Sequence, residues 1–475
     1  MSSSALEAAR AALGGRQAWL VGGAVRDRLL GRDTADLDVV VEGDPAQAAR
    51  AVSRADGRAA CFALSEEFGS WRVVARDRSW QLDVEPLRAA TLEQDLALRD
   101  FTINAIAEPL AGGAPIDPLG GLTDLDARRL RMAGPGAFAD DPLRVLRLVR
   151  LAVELDLAID AETARSALEH APGLEGVSAE RIFAELRRII AAPRARTGLE
   201  LMHELGVSAV VLPELEALRG VEQNRFHHLD VYGHTLEVLD RTIELTASAG
   251  SPGGELDGVL GASAAGVRAL LNEPLADELG RGEALRWGAL LHDAAKPLTR
   301  EVRARDGRVT FMGHDVQGAE LAREVLTRLR TSERLRAHVA ALVRHHLRLG
   351  FLVHEPQPLS RRTVFAYMSA CSPVEVDVTL LSVMDRLATR GDRAQEAIDA
   401  HLAVARTMLD DALRWRANGP GQPLLRGDEL AHELDIPIGP KVGELLVELA
   451  TARYAGELET REQALAYART LIDNS

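Results

Sequence analysis

Three aspartates lie in short apolar stretches whose composition is typical of β-strands. Asp36 and Asp38 enter the run VVV, and strand alternation places both side chains on one face of a sheet. Asp83 lies at the centre of a later strand pattern, QLDV, where Glu85 on the same face is a competing candidate. Grouped carboxylates bind hard divalent cations, which can activate a hydroxyl nucleophile and stabilise a pyrophosphate leaving group. Taken alone, each acid could equally be a solvated strand residue.

A Gly-Gly turn precedes the first acidic pair. Gly22 and Gly23 follow the apolar stretch AWLV and precede AVRDRLL, so that Gly23–Leu30 is predicted to be helical. Glycines let the backbone approach a phosphate, and a helix N-terminus offers free N–H groups to it. Arg26 would reach back over that position. An ordinary turn is the alternative interpretation.

The second half of the chain contains histidines and aspartates that could bind a metal. His292 and Asp293 lie in the apolar stretch WGALLHDAAKP, where two adjacent polar residues need a reason. Imidazole and carboxylate ligands together suit Mn, Fe, Ni or Zn, and Asp293 could bridge two ions. His345 competes with His346 for one position, and the spacing to LRLG favours His346. The candidate ligands are His234, His292, Asp293, His314, His346 and Asp385.

The elements that carry these residues change character along the chain. In residues 16–125 the stretches AWLVGG, ADLDVVV, WRVVA and WQLDVEPL predict strands. From about residue 126 helical periodicity takes over. In 141–155 it places apolar side chains on one side and arginines 144, 147 and 150 on a second stripe. The pattern predicts an α/β head followed by an all-α body.

Composition narrows the class of protein. A chain of 475 residues suggests two to four domains, and 47% hydrophobic with 27% charged residues is ordinary for a globular protein. No apolar run reaches transmembrane length and no signal peptide is recognisable, so we expect a cytoplasmic protein without a membrane partner. A net charge of −15 argues against a nonspecific nucleic-acid coat but leaves room for a local basic groove. The sequence does not indicate an oligomeric state.

Three stretches in order resemble the bacterial class II CCA-adding enzyme and poly(A) polymerase family. They are LVGGAVRDRLLGRDTADLDVVV, LRDFTINAIA (98–107) and DDPLRVLRLVR (140–150), within a resemblance that runs from about residue 18 to 215. It implies a polymerase-beta-like mixed sheet, two Mg²⁺ ions on Asp36 and Asp38, and Asp83 in the place of the third carboxylate. The resemblance also implies that the incoming nucleotide is held by Gly22, Gly23, Arg26, Arg99, Asp100 and Asn104.

The same resemblance implies that protein side chains read the incoming base. The family's motif is an acidic pair followed by arginine, here Asp140-Asp141-x-x-Arg144, with Asp140 where glutamate is usual. Aspartate accepts from an exocyclic amine, which CTP and ATP present and UTP and GTP do not, while arginine donates to ring nitrogen or carbonyl groups. Leu98 stands where the family often has a second arginine. The nucleotide contacts predicted for this segment are Asp141, Arg144, Arg147 and Arg150.

The region 216–400 resembles the HD phosphohydrolase domain attached to some bacterial tRNA nucleotidyltransferases. This implies phosphomonoesterase or cyclic phosphodiesterase chemistry with a divalent transition metal, a retained but inactive module being the alternative. The tail PLLRGDELAHELDIPIGPKVGELL resembles a C-terminal tRNA-contacting segment, in which Ile438-Gly439-Pro440 is expected to start a helix. The predicted domains are a head (1–125), a helical neck (126–215), the HD domain (216–400) and a helical tail (401–475).

The leading hypothesis is a template-independent nucleotidyltransferase that acts on the tRNA 3′ end with CTP, or with CTP and ATP. The alternatives are a poly(A) polymerase, or a metal-dependent HD phosphohydrolase with a non-catalytic RNA-binding head. Members that add the full CCA usually carry a flexible loop before the ribose-contacting motif, whereas only fifteen residues separate Asp83 from Arg99 here. Members without that loop tend to stop after CC. The sequence therefore predicts addition of two cytidines, with a separate A-adding partner.

Overall fold

The computed structural model describes residues 2–57, 59–65, 69–223, 229–248, 255–390 and 394–473. These residues form two compact units, Met1–Val211 and Leu212–Ser475.

The first unit is built on a six-stranded sheet with the strand order β3-β4-β5-β2-β1-β6. Strands β2 and β5 run parallel, and the other neighbouring pairs are antiparallel. The mixed sheet predicted from the sequence is confirmed, and β3 and β6 are the strands that the sequence pattern missed. The strands are β1 (Ala18–Val21), β2 (Asp36–Val41), β3 (Ala60–Ser65), β4 (Ser70–Val74), β5 (Gln81–Pro86) and β6 (Ala107–Pro109), with a separate parallel pair β7 (Arg129–Leu130) and β8 (Ala158–Ile159).

The two faces of this sheet have different chemistry because strand side chains alternate. On β2, Leu37, Val39 and Val41 belong to a fully apolar cluster that also includes residues of the first and third helices. Asp36 and Asp38 project from the opposite face and are open to solvent. The apolar face anchors the strand, so the acidic face keeps a fixed register.

Among the described residues of the first unit, eleven α-helices surround this sheet or follow it. The helix predicted for 141–155 begins at Leu143, and its apolar side chains Leu143, Leu146 and Val149 are buried as expected. The helices are α1 (Ser2–Leu13), α2 (Gly23–Leu29), α3 (Pro45–Ala55), α4 (Leu92–Ala97), α5 (Gly121–Asp126), α6 (Ala137–Asp140), α7 (Leu143–Leu155), α8 (Ala161–His170), α9 (Ala179–Ala191), α10 (Ala195–Glu204) and α11 (Val207–Val211).

Where the structure describes it, the second unit is helical apart from two short hairpins, as predicted. Its main core joins apolar residues from 238 to 415, and residues 425–468 form a smaller cluster of their own. The hairpins are β9 (Pro274–Ala276) with β10 (Leu279–Gly280) and β11 (Glu301–Val302) with β12 (Val309–Thr310). The helices are α12 (Pro213–Glu216), α13 (Val231–Ser248), α14 (Glu255–Leu260), α15 (Ala264–Leu271), α16 (Arg281–Leu291), α17 (Lys296–Thr299), α18 (His314–Arg328), α19 (Glu333–His345), α20 (Arg348–Leu352), α21 (Arg361–Cys371), α22 (Glu375–Ala388), α23 (Ala394–Asn418), α24 (Gly427–Leu434), α25 (Pro440–Tyr454) and α26 (Arg461–Asp473).

Two predictions about the second unit can be compared with the structure. A helix starts at Pro440, as the Ile438-Gly439-Pro440 sequence predicts. Within the described ranges, no single helix is both long and apolar enough to cross a bilayer. Only the pair α21 and α22, bent by 98°, meets the length and composition criteria jointly.

Candidate active site and metal centre

Strand register gathers the acidic residues of the head. Asp38 on β2 is the register partner of Asp83 on the parallel strand β5, and Val40 is the partner of Glu85. Alternation therefore puts Asp36, Asp38, Asp83 and Glu85 on one face of two neighbouring strands. These four carboxylates form a site that favours cations.

The carboxylates of Asp38 and Asp83 lie in different electrostatic environments. Crowding by protein atoms raises the pKa of Asp38 to about 6, and the neighbouring carboxylate of Glu85 adds to the rise, while Arg99 opposes it. The Asp38 side chain nevertheless keeps a solvent-exposed surface, so the crowding acts on one side of it. Asp83 is instead neutralised locally, because Arg72 donates two hydrogen bonds of 2.7 Å to its carboxylate oxygens. A cation bound beside Asp38 would therefore stabilise its ionised form.

The Gly-Gly turn brings a basic group to the same place. Gly22 has a positive φ of 70°, a conformation that favours glycine. A Cβ at this position would lie 3.1 Å from Arg99 Nη1 and 3.4 Å from Asp38 Oδ2. The backbone at Gly22 therefore lies between the acidic face and the Arg99 guanidinium. Arg99 follows the short helix α4, where the buried Asp95 faces it at 3.4 Å.

A chain of polar contacts continues from the turn into the interior. Arg26 Nη1 donates to Asn104 Oδ1 at 2.7 Å, and Asn104 Nδ2 donates to Asp100 Oδ1 at 2.9 Å. Arg147 Nη2 lies 2.7 Å from Asp100 Oδ2. Burial would raise the pKa of Asp100, but Arg147 and the Asn104 amide hold it below its usual value. The structure thus joins Arg26, Asn104, Asp100 and Arg147 in one network.

Asp141 and Arg144, the two residues predicted to read the base, are each held by another group. Arg181 on α9 donates to Asp141 Oδ2 at 2.7 Å, and the Leu143 N–H donates to Asp141 Oδ1 at 3.2 Å. Arg144 donates 3.0 Å hydrogen bonds to the carbonyl oxygens of Ala137 and Leu98. Both side chains remain partly exposed.

Arg150 has a setting that the sequence prediction did not foresee. It was expected on an arginine stripe that contacts the nucleotide, yet the residue is only 5% exposed. Its Nε donates to Glu185 at 2.5 Å and its Nη1 to Glu154 at 2.8 Å. At Arg150 the arginine stripe faces α9, and the guanidinium group already forms ion pairs with these two carboxylates. Arg150 is therefore paired within the helix interface, and a nucleotide contact by this residue would have to replace one of these ion pairs.

In the second unit, the predicted metal ligands converge on Asp293. The Nε2 atoms of His292, His314 and His346 lie 3.1, 3.4 and 4.0 Å from its carboxylate oxygens. His234 Nε2 lies 3.7 Å from Asp293 and 3.0 Å from Asp385. Two groups of possible ligands share Asp293: His234, His292 and Asp293, and Asp293, His314 and His346. His345 lies outside both, and its Nδ1 accepts from Arg348.

The orientation of the histidine rings suits metal binding. The Nδ1 atoms of His292, His314 and His346 lie 2.6 to 2.8 Å from the carbonyl oxygens three residues earlier. A carbonyl at that distance holds the proton on Nδ1, so each ring in its neutral form carries its lone pair on Nε2. Burial opposes protonation of His292, but the Asp293 carboxylate raises the pKa of that ring, so a metal bound there would displace a proton. Within the described residues, these three Nε2 atoms are buried without a hydrogen-bond partner. Burial lowers the pKa of His346 to about 4, so its ring is neutral at physiological pH.

A cation and a cavity complete this centre. Lys296 Nζ lies 2.7 Å from Asp293 Oδ2. Burial alone would raise the pKa of Asp293, but His292 and Lys296 hold it well below its usual range. A cavity of about 1040 Å³ adjoins the cluster, and its lining includes Asp293, Lys296, Phe311, His314, His346 and Asp385.

Comparisons with known proteins place these sites in a family. The model described as "Poly A polymerase head domain" matches residues 18–91 and 67–131, "Probable RNA and SrmB-binding site of polymerase A" matches 156–218, and "HD domain" matches 231–390. The A-adding tRNA nucleotidyltransferase of Deinococcus radiodurans is 36% identical over 94% of both chains. The chain belongs to the tRNA nucleotidyltransferase family. The family and the fold class predicted from the sequence are confirmed.

Two further similarities agree with this membership of the tRNA nucleotidyltransferases. The CC-adding tRNA nucleotidyltransferase of Thermus thermophilus is 35% identical over 95% of this chain and 93% of its own. The Thermotoga maritima CCA-adding enzyme complexed with tRNA has a TM-score of 0.59 at 19% identity, covering 99% of this chain and 98% of its own.

Four residues beside these nucleotidyltransferase and HD sites were missed by the sequence reasoning. Asp95 precedes Arg99 by four positions and Asp293 precedes Lys296 by three, so helical spacing of opposite charges could have indicated both contacts. The contact of Arg72 with Asp83 depends on strand pairing, and that of Arg181 with Asp141 depends on helix packing. No local signal in the sequence predicts these two. The missed residues are Arg72, Asp95, Arg181 and Lys296.

Proposed function

We propose that the head transfers CMP from CTP to the 3′ end of tRNA by two-metal chemistry. The observation that carries the proposal is the strand register that pairs Asp38 with Asp83. Asp36 lies on the same face, and Arg99 lies on the other side of Gly22. Relatives named tRNA nucleotidyltransferases that cover nearly the whole chain favour tRNA over the substrate of a poly(A) polymerase. The Thermotoga enzyme's complex with tRNA supports the same RNA substrate.

Asp36 and Asp38 are the proposed magnesium ligands, with Asp83 as the third carboxylate. The donor set fits, since oxygen-only ligands suit Mg²⁺. Desolvation and, after it, the carboxylate of Glu85 raise the pKa of Asp38, and a bound cation would stabilise its ionised form. Bound there, Mg²⁺ would supply activation of the 3′ hydroxyl and stabilisation of the leaving pyrophosphate. Arg72 fixes the plane of the Asp83 carboxylate from the outer side. Asp36 and Asp38 therefore remain the more open ligands.

The triphosphate is proposed to bind between the Gly22-Gly23 turn and Arg99. Arg99 lies beside Gly22, where it can pair with phosphate oxygens once it leaves the 3.4 Å contact with Asp95. Arg26, Asp100, Asn104 and Arg147 contribute as the connected network described above, in which each group orients the next. In this network, Asn104 and Asp100 are the proposed contacts of the ribose.

Asp141 and Arg144 are proposed to read the base. Asp141 keeps unused lone pairs on both carboxylate oxygens, which can accept from the exocyclic amine of cytosine. Arg144 is held by the carbonyls of Leu98 and Ala137, so its hydrogen bonds to the base must replace these bonds or use its other N–H groups. The Leu98 carbonyl also connects the base-reading helix to the segment that carries Arg99.

We propose that the product ends in CC. The identities of 36% to an A-adding and 35% to a CC-adding relative do not separate the two activities. The connection between β5 and α4 does favour one of them, because it is only residues 87–91 long and α4 is capped at once by Thr91. A connection this short offers no segment that could move to convert the site from CTP to ATP.

The product is testable with two tRNA substrates. One ends at the discriminator base and the other at CC, and both are incubated with CTP and ATP before the 3′ ends are sequenced. We expect the first tRNA to gain two cytidines and the second to gain adenosine poorly. A uniform CCA end on the first tRNA would refute the CC-adding proposal. Adenosine on the second tRNA with no cytidine on the first would identify an A-adding enzyme instead.

A second activity is proposed for the HD domain because of the buried ligand clusters that share Asp293. The mixed imidazole and carboxylate donors, with three free Nε2 atoms, fit a divalent transition metal. A metal in this centre would supply an activated water for phosphoester hydrolysis. Lys296 and the adjoining cavity offer a place for the phosphate and the rest of the substrate. The proposed substrates are nucleotides or RNA ends that carry a phosphomonoester or a cyclic phosphodiester.

A further inference from the structure

The cavity that adjoins the histidine cluster around Asp293 has an exposed apolar wall. Met312 and Phe351 both line the cavity, and they are 79% and 66% exposed. Single exposed apolar side chains are common on protein surfaces, so neither exposure is informative by itself. Here the two side chains lie at the opening of one cavity whose lining also includes Asp293 and His314. The apolar wall therefore belongs to the same cavity as the proposed metal ligands.

The chain holds both apolar residues close to metal ligands. Met312 directly follows Phe311, whose carbonyl oxygen lies 2.6 Å from His314 Nδ1. Phe351 lies on α20, which begins two residues after His346. The ring centroids of His314 and His346 are 5.2 Å apart. The segments that carry Met312 and Phe351 therefore come together beside the cluster.

The part of the cavity lining that comes from α22 and α23 is polar. Ser382 Oγ and His401 Nε2 lie 3.3 Å apart in this lining. Arg386 Nη2 donates to the Thr389 carbonyl at 3.4 Å, while its buried Nε has no hydrogen-bond partner among the described residues. A ligand in this cavity meets an apolar wall and hydrogen-bonding groups together. A nucleobase has apolar faces and hydrogen-bonding edges, whereas an alkyl chain has no acceptor to offer to Arg386.

We propose that Met312 and Phe351 bind the nucleobase of the HD substrate while its phosphoester lies at the metal cluster. The ligand class is a nucleoside phosphoester, as opposed to a sugar phosphate or an alkyl phosphoester. The Phe351 ring provides a face for stacking, and the flexible thioether of Met312 adapts to bases of different size. The cavity of about 1040 Å³ has room for a nucleotide, since small-molecule pockets commonly measure about 300–1,000 Å³. This inference rests on the proposed phosphohydrolase activity and adds the residues that select the base.

The first test is Phe351→Ala, assayed with 3′-AMP and with glycerol 2-phosphate in the presence of Mn²⁺ or Ni²⁺. Both compounds are monoesters of a secondary hydroxyl, and only 3′-AMP has a base. We expect KM for 3′-AMP to rise about tenfold, the order of affinity that a base stacked on an aromatic side chain contributes. We expect kcat for 3′-AMP and KM for glycerol 2-phosphate to stay within about twofold, because the metal ligands are untouched. Phe351→Tyr keeps the ring and should retain the low KM, whereas Phe351→Leu should not.

The matched control is Phe62→Ala. Phe62 is 47% exposed, lies on β3 in the other compact unit and does not line the cavity. Both variants remove an exposed ring, so both should fold and bind the same amount of metal as the wild type. An unchanged KM for 3′-AMP in Phe351→Ala would overturn the inference, and so would an equal rise in Phe62→Ala or with glycerol 2-phosphate. A lower mass of Phe351→Ala in light scattering, with KM unchanged, would make the apolar wall a contact between copies of the chain.

A binding measurement that needs no turnover uses Phe351→Trp. Stacking of a base on the new indole should quench its fluorescence, measured as the difference from the wild type with its five tryptophans. We expect saturable quenching by adenosine and none by ribose, with Phe62→Trp unaffected by either. If the wild type hydrolyses neither ester but adenosine quenches Phe351→Trp, the proposed hydrolysis fails and base binding stands. If both esters are hydrolysed with equal KM and adenosine causes no quenching, only the inference on Met312 and Phe351 fails.

Discussion

Asp38→Asn is expected to have opposite effects on activity and on stability. The change removes one charged ligand from the proposed two-metal centre, which should cost several kcal/mol of transition-state stabilisation. The rate of nucleotide transfer should therefore become undetectable in ordinary assays. The same change removes a carboxylate that lies among Asp36, Asp83 and Glu85. Without magnesium, the inactive variant should therefore be the more stable protein.

The magnitude follows from the raised pKa. A rise from 3.8 to about 6 corresponds to roughly 3 kcal/mol at about 1.36 kcal/mol per pKa unit. Because the Asp38 side chain keeps exposed surface, solvent screening reduces the expected gain to about 1 kcal/mol. The folded-state pKa lies above the unfolded value, so the native wild type gains stability as the pH falls through 6. The difference in the free energy of unfolding between Asp38→Asn and the wild type is therefore largest above pH 6 and disappears near pH 3.8.

Urea unfolding at pH 8 and pH 5, with and without Mg²⁺, measures this directly. The control is Asp33→Asn, which removes an exposed acid just outside β2. Added Mg²⁺ should stabilise the wild type more than Asp38→Asn, because a ligand that binds only the native state shifts unfolding by mass action. The HD cluster is unchanged in the wild type and in both variants, so any stabilisation from Mg²⁺ bound there is the same in all three proteins. Near-normal turnover in Asp38→Asn would refute the metal assignment, and a variant less stable than wild type at pH 8 without Mg²⁺ would refute the electrostatic argument.

Two further predictions concern the other proposed roles. Asp141→Ala or Arg144→Ala should relax nucleotide choice by about 1–3 kcal/mol for each lost base contact, as measured by competition among all four nucleotides. A lower rate with unchanged selectivity would mean that these residues only position the triphosphate. His292→Ala or Asp293→Ala should abolish transition-metal binding and phosphate release from nucleotides or 3′-phosphorylated RNA while transfer persists, because the two sites lie in separate compact units. Failure of the purified wild type to bind such a metal, together with no phosphoester hydrolysis, would contradict the HD proposal.

The contacts that could be predicted from the sequence are those that follow from local periodicity. Alternation along DLDVVV determines that Asp36 and Asp38 share the face opposite Leu37 and Val39, and the structure has this arrangement. The helix 143–155 buries its apolar side as its spacing predicts. The spacing to LRLG also predicts His346 rather than His345 as the candidate ligand, and the structure has His346 beside Asp293.

The contacts that could not be predicted depend on partners brought by tertiary structure. Periodicity placed Arg144 and Arg150 on one stripe, yet packing against α9 puts the Glu185 carboxylate beside Arg150 and leaves Arg144 partly exposed. A three-residue spacing drifts around a helix by about 60° per step, so a stripe that starts near a site rotates into the neighbouring helix within two turns. The same packing brings Arg181 to Asp141. A sequence pattern gives the direction in which a side chain points, whereas its protonation and its availability to a substrate depend on which charges the other helices place in that direction.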